Sequence, residues 1–73
     1  MSQTTFAQAK ELTLARLRQW LNELPEAERR RPRKVIDFKV YSVLDLIAEV
    51  ERGTVIGKEY VYDEAKKMGY VVE

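Results

Sequence analysis

The apolar positions of the first two dozen residues recur with the period of a helix. At about 100° per residue Phe6, Leu14, Leu17, Trp20, Leu21 and Leu24 fall within roughly one third of the helical circle. Gln8, Glu11, Arg18, Gln19 and Asn22 take the opposite side, and Leu12 is the apolar exception that projects from it. Thr5 followed by Gln8 has capping-box spacing, in which hydroxyl and side-chain amide satisfy each other's backbone N–H groups. The pattern predicts a long amphipathic helix ending at Leu24, because the residue before Pro25 avoids the α region. Such a helix spans ~30 Å, long for one small core and suited to half of a dimer.

Pro25 then starts a short helical turn through Glu26–Arg30, with Glu26 and Glu28 near its positive end, and Pro32 stops it. Residues 25–34 therefore read as a connector. Lys34–Tyr41 alternates: Ile36, Phe38 and Val40 share one face, Asp37 and Lys39 the other, as in a half-buried strand. Ser42 with Asp45 repeats the cap spacing. Val43, Leu44, Leu46, Ile47, Ala48 and Val50 follow, so a short, largely buried helix is expected, ended by Gly53 in a left-handed conformation.

Thr54–Glu73 supports two readings. One caps a third helix at Thr54 and runs it to Met68, with Val61, Ala65 and Met68 on a stripe and Gly69 as the stop. The other folds residues 54–62 into a hairpin around Gly57, which their β-branched and aromatic residues favour. Length and stripe favour the helix. Tyr70–Val72 reads as a terminal strand that pairs with Lys34–Tyr41. The expected fold is a single α+β domain over residues 1–73, mostly α. It has a long N-terminal helix over residues 1–24, the connector, and a strand–helix–helix–strand order over residues 34–73. A small two-stranded ribbon completes it.

Length changes this picture. A chain of 73 residues buries only about 60% of its unfolded surface, so it needs a staple. It has no cysteine, which removes disulfides and thiolate metal sites and leaves self-association. With no histidine, no thiol and no Gly-rich phosphate loop, most acid–base and nucleophilic chemistry is missing. Ser42 reads as a cap. Asp45 and Glu49 lie one helical turn apart, but two carboxylates without further oxygen ligands read as a solvated face. We expect no enzyme activity, no cofactor and no bound metal.

Charge is uneven. Residues 1–39 carry nine Lys/Arg against five Asp/Glu, and residues 40–73 carry four against seven. The basic excess centres on Arg29, Arg30, Arg31, Arg33 and Lys34, the candidate contacts for an acidic partner or for phosphate. The cluster has no aromatic interleaved with it, so base stacking is not offered locally. A solvated connector neutralised by Glu26 and Glu28 is the rival reading. The corner at Gly53–Thr54 is a poor base reader, since Val55, Ile56 and Gly57 open the helix after it. Leu12, Tyr41, Tyr60 and Tyr62 are candidate interface residues, while Trp20 lies on the apolar face of the first helix.

These observations lead to a small non-catalytic regulatory or adaptor protein that acts by binding another macromolecule. A protein partner is the first expectation. The alternative is a nucleic-acid-binding regulator using the basic cluster. The first residues lack an apolar signal core and no run approaches a membrane span, so a cytoplasmic homodimer with no membrane contact is expected.

Overall fold

The computed structural model describes residues 2–73. A short strand, β1 (Ser2–Thr4), precedes helix α1 (Phe6–Glu23), and a 3-10 turn covers Glu26–Glu28. Strands β2 (Lys34–Ile36) and β3 (Lys39–Tyr41) lead into α2 (Val43–Arg52), α3 (Val55–Lys67) and β4 (Tyr70–Val72). The fold is α+β and mostly α, with a long first helix, as the periodicity predicts.

Local signals set the helix ends. Thr5 Oγ1 accepts from the Gln8 amide and Gln8 Oε1 accepts from the Thr5 amide, both at 3.2 Å. Ser42 and Asp45 form the second box at 3.1 and 3.0 Å. Gly53 ends α2 at φ +68°, a conformation that costs a residue with a Cβ. Thr54 Oγ1 accepts from the Gly57 amide at 3.0 Å, so residues 54–62 begin a helix and the hairpin reading of that segment is overturned.

The three helices pack on one another around Ala9, Leu17, Val43, Leu46, Val50, Val61 and Ala65, all essentially without solvent contact. Each helix contacts the other two. The buried positions of α1 are Ala9, Thr13 and Leu17, with Phe6, Leu14, Trp20, Leu21 and Leu24 half-buried. Ala9 and Thr13 bring little bulk to the packed face. The Thr13 hydroxyl donates to the Ala9 carbonyl at 2.8 Å and so meets its own polar requirement inside the core.

The strands depart from expectation in two ways. Lys34–Tyr41 is not one strand but an antiparallel hairpin, registered Lys34↔Tyr41, Val35↔Val40 and Ile36↔Lys39. The expected shared face of Ile36, Phe38 and Val40 does not exist, because the chain reverses at Asp37–Phe38. Nor does Tyr70–Val72 pair with this segment. It pairs in parallel with β1, Ser2↔Tyr70 through Thr4↔Val72, and the Glu73 amide donates to the Thr4 carbonyl at 2.9 Å.

Candidate functional site

The hairpin and the connector that feeds it form the most distinctive surface of the molecule. Cross-strand partners point to the same face of a ribbon. Ile36 and Tyr41 therefore turn toward the core, which Tyr41 joins as a buried residue, while Val35 and Val40 form a pair on the outer face, 65% and 57% exposed. The two-residue turn has positive φ at both positions, +48° at Asp37 and +68° at Phe38, the signature of a type I′ turn. Asp tolerates that region. A bulky Phe does not, and its ring is fully exposed at 102%, so no packing compensates the strain.

The basic residues are not equivalent. Arg29 is turned inward, its Nε donating to the Leu24 carbonyl at 3.3 Å. Glu28 holds Arg31 at 3.3 Å and Arg33 at 3.1 Å, one on each carboxylate oxygen. The Arg33 guanidinium also lies 5.9 Å from the centre of the Trp20 ring, and the Lys34 ammonium lies 5.9 Å from that of Tyr60. Among the described residues Arg30 and Lys39 have no ion-pair or hydrogen-bond partner through their side chains. Residues 26–41 carry six basic against three acidic side chains, whereas the chain as a whole is only +1. The positive charge is thus concentrated on this element, and the rest of the chain is slightly acidic.

The other candidate residues divide. Leu12 is 40% exposed and lines an open cleft of about 540 Å³ with Gln8, Glu11, Ala15 and Tyr70. Tyr62 is exposed and its ring lies 5.4 Å from that of Phe6. Tyr41 and Tyr60 are buried, which removes them as surface contacts and corrects the expectation for both. Burial, with the Glu64 carboxylate beside it, pushes the Tyr60 phenol up, so it stays a neutral donor to Glu64 at 3.2 Å. Asp45 is occupied in its cap, and Glu49 accepts from the Thr54 hydroxyl at 2.8 Å. Among the described residues no cluster of three carboxylates converges on a metal-sized site, and no helix is long and apolar enough to cross a membrane.

Sequence reasoning missed Phe38 as a surface residue, because alternation with Ile36 and Val40 mimics a strand. Its available signal was the Asp residue in front of it, a common first residue of a type I′ turn. Comparison of the chain with family models, curated proteins and solved structures finds no match.

Proposed function

We propose that this chain is a small non-catalytic regulatory or adaptor protein that docks on another macromolecule with its β2–β3 hairpin. The observation that carries the reading is Phe38, a fully exposed aromatic held in a left-handed backbone at the tip of a ribbon whose outer face is apolar. Strain without a packing return points to a use outside the fold. Val35 and Val40 extend the apolar contact, and the basic connector supplies a charged rim, the usual anatomy of a binding surface.

The substitution Phe38→Gly tests this directly. It gives the turn the Asp-Gly pair that type I′ geometry favours, so the free protein should gain up to about 1 kcal/mol after glycine's own entropic cost is subtracted. Its melting temperature should rise by a few degrees. The same variant, immobilised in nuclease-treated and untreated lysate, should lose the macromolecule that the parent retains. A melting temperature that falls, or an unchanged set of retained molecules, counts against the hairpin as the docking element.

Self-association is the second component of the proposal. Leu12 and its cleft on α1 support a homodimer, the commonest closed assembly for a chain that has no other staple. Light scattering at tens of micromolar protein should give a dimer mass that Leu12→Arg reduces to the monomer. A monomer mass for the parent chain would sink it.

A further inference from the structure

We infer that the macromolecule taken by the hairpin is a single-stranded nucleic acid, with one base stacked on Phe38 and the backbone running along Arg30 and Arg31. The inference rests on the docking role of the hairpin and names its partner.

The first argument is charge. Residues 26–41 hold a net +3 in a chain that is otherwise acidic, so the hairpin and its connector are the part of the molecule that a polyanion would seek. Arg30 is already without an internal partner among the described residues. Arg31 is 69% exposed and meets only Glu28, at 3.3 Å. A surface pair of that kind contributes little, so a phosphate oxygen can replace the carboxylate at almost no cost and gain a charge-assisted fork. Arg33 and Lys34, lying over the Trp20 and Tyr60 rings, hold the base of the ribbon in place.

The second argument is the aromatic that the basic run lacks in sequence. The turn presents Phe38 four residues beyond Lys34, on the same element, with its ring bare. A bare ring matches the flat face of a base, and such stacking tolerates any base because every base has a π-face. An intact duplex hides those faces and must be unstacked at a few kcal/mol per step before a side chain can enter. Single strands carry no such cost. Asp37 and Lys39 flank the ring with opposite charges, so the tip carries no net charge and the phosphates are drawn to the connector. Val35 and Val40, exposed on the outer face of the ribbon, add apolar surface for a sugar or a neighbouring base edge. An apolar protein pocket would use Phe38 and the valines but has no need for the excess of +3.

The test uses the full chain and a fluorescein-labelled oligothymidylate of about 12 nucleotides, within the site sizes single-strand binders cover, read by fluorescence anisotropy over a range of salt. A duplex of the same length and vesicles of phosphatidylserine and phosphatidylcholine serve as competitors. Binding should weaken steeply with salt, and the single strand should bind more tightly than the duplex. Phe38→Ala should lower affinity roughly 5- to 100-fold, the loss of one stacked base, while Phe38→Tyr should retain it. Arg30→Gln with Arg31→Gln should lower affinity and reduce the log–log salt slope by about 1.4, two phosphate contacts on a single strand. Tighter binding to duplex, tighter binding to vesicles, or indifference to Phe38→Ala overturns the inference. If no oligonucleotide binds, yet Phe38→Gly still loses a protein from nuclease-treated lysate, the partner named here is wrong and the docking hairpin stands.

Discussion

Gly57→Ala is expected to destabilise the protein by about 3 kcal/mol or more, although the same change in an exposed helix would stabilise it by about 1 kcal/mol. A Cβ at this position would collide with the Glu49 carbonyl oxygen and lie 2.5 Å from its carbon and 2.8 Å from the Val50 nitrogen. All three are backbone atoms, so no side chain can swing aside. Relief requires α2 and α3 to separate by more than an ångström, which would loosen Leu46, Val50, Tyr60 and Val61 together. Native stability for a chain of this length is roughly 4–11 kcal/mol, so the clash removes a large part of it. Thermal unfolding followed by circular dichroism should show a drop of well over 10 °C. A variant melting within a few degrees of the parent would mean that the two helices do not approach this closely.

Leu46→Ala should cost about 3 kcal/mol, within the range for emptying a buried leucine site. Leu46 is wholly buried on α2, which packs against both α1 and α3. The hole it leaves is walled by helices pinned at both ends by caps, so partial collapse is difficult. Urea unfolding should show the midpoint falling with little change in slope. A loss below about 1 kcal/mol would show that the site fills by relaxation and that the core is not rigidly packed around Leu46.

What could be read from the residues was what is decided within a few positions. The boxes at Thr5–Gln8 and Ser42–Asp45, the stop before Pro25 and the left-handed Gly53 are all local chemistry, and each lies where the residues place it. The errors have non-local causes. The polar tripeptide Ser2–Thr4 has no strand signature, and its partner lies at the far end of the described chain. At the hairpin, Ile36, Phe38 and Val40 alternate as a strand would, and only the reversal at Asp37 separates the buried member from the exposed ones. The basic run was visible as composition. Its division by Glu28 and the bare ring of Phe38 at the turn needed three-dimensional placement.

The parallel pairing of β1 with β4 gives the molecule an order of events in time. Bringing Ser2 to Tyr70 closes a loop of almost the whole described chain, whereas the α2–α3 corner closes over two residues, Gly53 and Thr54. The entropy of the larger closure must be met before its few hydrogen bonds return anything, so this clasp is the last contact to be made and the first to be lost. Its opening takes Tyr70 and Val72 off the edge of the core but leaves the ladder of the hairpin intact, since neither β2 nor β3 pairs with β1 or β4. The chain can therefore breathe at one seam without withdrawing the surface it presents at the other.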